Sequence, residues 1–288
     1  MSKAEFAFGP VLFGSIATII LVAAGTRADS AAAENAVPDF AADSSTAWVL
    51  DRTVDDLLAP ASGPGPITFD KAHPYVPNGR GRQPTYRVAD LSNPILQPWA
   101  AEQMKKTNDD VRAGKVPFRA RERCWPIGVP GFVIYSLVEP FYFYQTPKEV
   151  TVVNQGGPEV RHIYMNVAHS QNPKPSWYGE SVGHYENGDT LVIDTIAILD
   201  KTFVDNYRTP HTGALHVVER WKIIEGGNAV EVTMNVEDPG AFTTSWSATQ
   251  RWRRVHNAPM AEIACNENNA NYLEQYRVPM PTAEKPDF

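Results

Sequence analysis

The sequence has only two cysteines in 288 residues, Cys124 and Cys265, with no CxxC pair and no histidine beside either one. That argues against zinc ribbons and dithiol redox chemistry. It also lacks a basic stripe. Its 33 acidic residues outweigh 26 basic ones, giving a formal net charge of −7, so nucleic acid is not an expected partner. There is no Walker loop and no GxGxxG, so no cradle for a nucleotide cofactor is recognisable. GxSxG and HExxH are missing too, and with them the common hydrolase machinery. No internal repeat is visible. These absences leave a chain for which no cofactor and no metal are expected.

Aromatic residues are plentiful. Seven Trp, eleven Tyr and twelve Phe, alongside many Val and Thr, favour strands over helices. Twenty-four prolines point to long ordered loops. Near the N-terminus, Lys3 precedes a nearly unbroken apolar run from Phe6 to Gly25, and Thr26-Arg27-Ala28 resembles a small-residue cleavage site. Residues 1–28 therefore read as a signal peptide, with an uncleaved membrane anchor as the alternative. Either way the folded part is expected to be exported, periplasmic in a Gram-negative cell. After cleavage no stable membrane insertion is expected. In an exported chain two cysteines suggest a disulfide between Cys124 and Cys265, against the alternative of two separate buried thiols.

The chain divides into a loop-rich extension at 29–117, a β-barrel at 118–275 and a tail at 276–288. Within the extension a helix is expected near 98–113, because Pro98 suits a first helical turn and Gly114 suits the position just past the end. From Phe132 onward the pattern has period two. Phe132–Leu137, Phe141–Gln145, Val150–Val153, Val160–Met165, Ser181–Glu186, Thr190–Ile196, Leu215–Ile224, Val230–Val236 and Thr243–Val255 all read as strands. Consecutive strands with short turns predict a mainly β fold, an antiparallel lipocalin-like (calycin-type) barrel with one or two short helices.

One glutamate breaks the pattern. With Gly226-Gly227 as the turn of a hairpin, one face carries Val217, Glu219, Trp221, Ile223, Val230, Val232, Met234 and Val236. Glu219 is the only ionisable group there, so it needs a partner, a shifted protonation or a task. Arg161 alternates with Ile163 and Met165 and is expected to share the interior. It could form a structural pair with Glu219 or hold a substrate carboxylate. With Asn187-Gly188 as a two-residue turn, Ser181 faces Asp194, which should be partly buried and could assist proton transfer or merely cap a loop. His211, in the loop Arg208-Thr209-Pro210-His211-Thr212-Gly213, is expected at the barrel mouth as a proton shuttle or an ordinary surface histidine. The spacing His211-x4-His216-x2-Glu219 invites a metal reading, which strand parity opposes, because His216 and Glu219 point to opposite faces. Tyr164, Tyr178, Trp221 and Trp246 could line a pocket for a flat ligand or simply pack the barrel.

Several stretches carry a family resemblance: ADLSNPILQPWAAEQMKKTND (89–109), PKPSWYGESVGHYENGDTLVIDT (173–195), KTFVDNYRTPHT (201–212), LHVVERW (215–221), DPGAFTTSW (238–246) and EIACNENN (262–269). On these the chain resembles a family of exported proteobacterial proteins, mostly without an assigned function. The resemblance implies an exported, mostly β protein and supplies no catalytic residues. The residues themselves lead to the functional expectation. It is a cofactor-independent lyase or isomerase, decarboxylating or dehydrating a small hydrophobic acid, with a phenolic acid as one candidate, in aromatic compound catabolism. Glu219 would act as acid or base, Arg161 as orienting cation, and Asp194 and His211 as helpers. The alternative is a non-catalytic periplasmic protein that binds a small hydrophobic or aromatic molecule.

Overall fold

The computed structural model describes residues 37–41, 45–51, 56–76, 86–118, 120, 125–134, 140–156 and 159–262. The expected signal peptide, both cysteines of the expected disulfide and the C-terminal tail lie outside these residues.

Nine strands close into a barrel. They are β1 (Ala47–Leu50), β2 (Phe141–Gln145), β3 (Glu149–Asn154), β4 (Glu159–Met165), β5 (Glu180–Glu186), β6 (Thr190–Ile196), β7 (His216–Ile224), β8 (Ala229–Glu237) and β9 (Trp246–Val255). Each pairs with its sequence neighbours, and β1 pairs with β9 to complete the ring. The fold is the mainly β barrel that the sequence predicts. One junction differs from a pure antiparallel meander: β4 and β5 run parallel, with Ile163 opposite Ser181 and Met165 opposite Gly183. Parity requires this. A ring of nine strands that reversed direction at every junction could not close on itself. The connection at residues 166–179 makes the crossover that resets the direction.

The β7–β8 hairpin has the expected register, with Val217 opposite Val236, Glu219 opposite Met234, Trp221 opposite Val232 and Ile223 opposite Val230. Glu225, Gly226 and Gly227 all adopt positive φ, which is why a glycine pair sits at the tip. Strict alternation then turns Val217, Glu219, Trp221, Val232, Met234 and Val236 into the barrel, all at most 1% exposed. The rest of the core is aromatic. Phe132 stacks on Phe141 at 4.7 Å, Phe141 meets Trp252 at 4.3 Å, and Phe143 meets Trp221 edge-on at 5.4 Å.

Three expectations need correction. The first strand, β1, lies in the extension and had no clear signal there. It is only four residues long, and just one residue, Val49, is not fully buried, so it shows no alternation. The expected strand Phe132–Leu137 begins instead as a helical turn, α2 (Gly131–Ile134), with all four residues buried. An apolar run this short cannot be assigned to strand or helix by periodicity. The last strand starts at Trp246 rather than Thr243, whose N–H donates to Ile95 O at 2.7 Å in a loop contact.

The extension packs on the barrel. Phe40 stacks on Phe143 at 5.0 Å, and its carbonyl accepts the Trp48 indole N–H at 2.8 Å. Helix α1 (Pro98–Arg112) starts with Pro98 and is followed by Gly114 at φ 79°. It buries Ala100, Met104 and Asn108, a stripe spaced by four residues. Asn108 exchanges two 2.9 Å hydrogen bonds with the backbone of Ala89 and fastens the helix to the preceding segment. No helix among the described residues is long and apolar enough to cross a membrane.

Candidate functional site

Glu219 sits in the middle of β7, between Ile193 on β6 and Met234 on β8, and is fully buried. From β4, Arg161 reaches it across the interior, with Nη2 2.5 Å from Glu219 Oε2. The guanidinium is only 1% exposed. It also donates from Nε to Ser181 Oγ at 3.2 Å and from Nη2 to Thr195 Oγ1 at 2.8 Å. The two hydroxyls lie 2.9 Å apart. The site is therefore a four-residue polar island, drawn from β4, β5, β6 and β7 and surrounded by apolar side chains. Burying two charges costs several kcal/mol per ion, and pairing plus hydroxyl bonds must offset that.

The offset is incomplete. Glu219 Oε1 is buried and accepts no hydrogen bond. The indole N–H groups of Trp221, Trp246 and Trp252 are likewise buried without an acceptor. Trp221 and Trp252 both contact Phe141, at 6.1 and 4.3 Å, while Trp246 meets Phe242 edge-on at 5.8 Å. An unsatisfied buried polar group costs about 1–3 kcal/mol, and most buried polar groups are paired. Here an acceptor and three donors go unused inside one barrel.

The other expected site residues are elsewhere. Asp194 faces out, and its side chain is 41% exposed. The β5–β6 hairpin is one residue out of the expected register: Ser181 faces Thr195, and Asp194 faces Val182. Asn187 and Gly188 do adopt positive φ, but Asp189 is a third loop residue, and its carbonyl is taken by Ile223 N–H from β7 at 2.9 Å. A one-residue slip moves every side chain to the opposite face. Asp194 is thus removed from the interior and Thr195 put in its place. Tyr164 also lies on the outer wall, 48% exposed, as its parity with Arg161 on β4 dictates. Tyr178 is partly buried and meets Phe132 edge-on at 5.8 Å.

His211 is not an open mouth residue. It is 3% exposed, with Nδ1 2.9 Å from Thr212 O and Nε2 2.8 Å from Thr202 Oγ1. The carbonyl can only accept, so Nδ1 carries the proton and Nε2 accepts from Thr202. Burial holds the imidazole below its ordinary pKa. Both ring nitrogens are engaged, and neither meets Glu219 or Asp194. Ser181 and Thr195 are the site residues that sequence reasoning missed. Both were visible as small polar residues within apolar strands, but the slipped register hid their facing positions. Among the described residues no group of three or more His, Cys, Asp or Glu side chains is placed to hold a metal ion.

Asp205 is one of several further buried carboxylates and lies outside the barrel site. Asp205 is 1% exposed and accepts from Tyr207 N–H at 2.8 Å, Thr209 N–H at 3.1 Å and Thr209 Oγ1 at 2.6 Å. Burial pushes its pKa up to about 6, against the lowering pull of those bonds. The folded state then holds a proton that the unfolded chain has already lost. Stability from this group is full below the unfolded value of 3.8 and is lost as pH rises through 6. Relative to Asp205→Asn, the native protein should lose on the order of 3 kcal/mol between about pH 4 and about pH 7, read by urea unfolding. Parallel pH profiles for the two proteins would show that Asp205 is ionised throughout.

No family model matches the chain, and no curated protein matches it. The chemistry of the site is the remaining guide.

Proposed function

We propose that this is an exported binding protein whose barrel takes a small hydrophobic, aromatic molecule carrying a hydroxyl group. The observation that carries this reading is Glu219 Oε1, a buried carboxylate oxygen with no donor. A phenolic hydroxyl donates one strong, charge-assisted bond to such an oxygen. A hydroxyl oxygen can also accept a hydrogen bond from an N–H donor, and an aromatic body matches the Phe and Trp residues of the barrel core. Arg161 supports this role by holding Oε2, which fixes the carboxylate and leaves Oε1 to the ligand.

Cofactor-independent acid/base chemistry is the second reading, favoured by the same free oxygen, because a base must be able to take a proton. It is the weaker of the two. Asp194 lies on the outer wall and His211 is locked between two threonines, so Glu219 would have to work without either expected helper.

Tryptophan fluorescence titration with 4-ethylphenol and ethylbenzene tests the proposal. Both should quench saturably. Glu219→Gln should weaken 4-ethylphenol about tenfold, the value of one hydrogen bond to a charged group, and leave ethylbenzene unchanged. No saturable quenching, or equal losses for both probes, would overturn it. Conversion of 4-hydroxycinnamate to a new product, lost in Glu219→Gln, would carry the enzyme reading instead.

A further inference from the structure

The outer wall carries a chain of alternating acids and imidazoles. Glu180 at the start of β5 lies 3.0 Å from His169 Nδ1. His169 Nε2 lies 3.1 Å from Asp194 Oδ1 on β6, and the same oxygen lies 2.9 Å from His216 Nε2 on β7. His216 Nδ1 is 4.0 Å from Glu237 Oε2 on β8. Three carboxylates and two histidines thus alternate across four strands and one loop. All five side chains are between 21% and 59% exposed, so water and protons reach them.

His169 stands on the crossover at 166–179, the connection that makes the β4–β5 junction parallel. Each of its ring nitrogens faces a carboxylate oxygen. A neutral imidazole has one N–H and one acceptor nitrogen, and an acceptor facing a carboxylate forms no bond. Only the imidazolium makes both contacts. His216 has the same arrangement with a longer second contact. Near His169 the crossover is also held by Ser170 N–H, which donates to Glu180 Oε1 at 2.8 Å, and on either side by backbone bonds, from Asn166 N–H to Gly183 O at 2.8 Å and from Ser176 N–H to Ala197 O at 3.1 Å. Farther along, Tyr178 packs edge-on against Phe132, whose ring stacks on Phe141 in the barrel core.

We infer that Glu180, His169, Asp194, His216 and Glu237 form a proton-operated latch that clamps the crossover at 166–179 to the barrel wall. The sign follows from the hydrogen bonds. With both imidazoles charged, three carboxylates face two cations. As pH rises and the rings lose their second protons, donors disappear and the carboxylates are left uncompensated. The clamp therefore holds at acidic pH and loosens as pH rises. Glu180 stays ionised well into acid, because the bonds from Ser170, and then from His169, hold its carboxyl below the ordinary range. Acidification thus strengthens the clamp before it begins to titrate that carboxylate.

Amide hydrogen exchange across 166–175 reads the latch in the full chain. After correction for the intrinsic pH dependence of exchange, protection should fall about tenfold between about pH 5 and about pH 8, the value of one charge-assisted bond. Amides of β8 serve as the reference and should hold constant. In His169→Gln, which keeps one donor and cannot gain a proton, protection of the segment should be low and independent of pH. His216→Gln should reduce the pH effect without removing it. Equal protection at both pH values in the native protein would overturn the inference. So would an unchanged pH dependence in His169→Gln.

Discussion

Replacing Arg161 with methionine is expected to destabilise the protein by about 3–5 kcal/mol, because it leaves the buried Glu219 carboxylate without its counter-charge. No other cation is hydrogen-bonded to Glu219 among the described residues. Ser181 and Thr195 bond to Arg161 and to each other, and among the described residues Arg161 is the donor to Glu219 Oε2. The double variant Arg161→Met with Glu219→Met should recover most of that loss, since a hydrophobic pair of similar volume removes both desolvation penalties. Chemical denaturation of the two single variants and the double variant, read as a cycle, measures the coupling. Additive effects would mean that the carboxylate and guanidinium do not sense each other.

Gly179→Ala should cost about 2–4 kcal/mol through strain and overpacking. Gly179 adopts φ +65°, and a Cβ there would stand 2.3 Å from Ile196 O and 2.9 Å from Ile198 Cγ1. Ile196 O is backbone at the end of β6, so it cannot rotate away. The expected drop in melting temperature is roughly 2–4 °C for each kcal/mol in a chain of this size. Gly213→Ala is the control, because nothing lies within 4 Å of a Cβ built there and its φ is not positive. A Gly179→Ala protein as stable as the Gly213→Ala protein would show that the crossover moves aside at little cost. The position matters because Gly179 is the last residue before β5 enters the barrel.

The parts of this architecture that were legible in the sequence are those with strict alternation. The β7–β8 hairpin, with nine residues in His216–Ile224 and nine in Ala229–Glu237, leaves as little ambiguity as a sequence offers, because its apolar parity and its glycine pair agree on one register. Glu219 could be placed inside, and His216 outside, on that basis alone. Arg161 was legible for the same reason, through its alternation with Ile163 and Met165 on β4.

What was not legible depended on contacts from elsewhere in the chain. The β5–β6 register turned on Asp189, whose backbone carbonyl is claimed by Ile223 on β7; no local turn rule contains that bond. Both faces of β6 are apolar, so a shift of one residue left no pattern out of place to reveal it. The closing strand β1 is four residues long, and Asp51 beside it is fixed by Arg253 on β9 at 2.9 Å, a partner two hundred residues away. His211 lies in a loop rich in turn residues, which suggested exposure. Its burial follows from contacts with Thr202 and Thr212 that local sequence does not forecast.

A crystal structure of the protein grown with 4-ethylphenol tests the central claim most directly. The phenol should lie inside the barrel with its hydroxyl within hydrogen-bonding distance of Glu219 Oε1, and with Arg161 still holding Oε2. A phenol found only on the outer surface, or an interior in which an ordered water or the protein's own side chains satisfy that oxygen and leave no place for the ring, would contradict it.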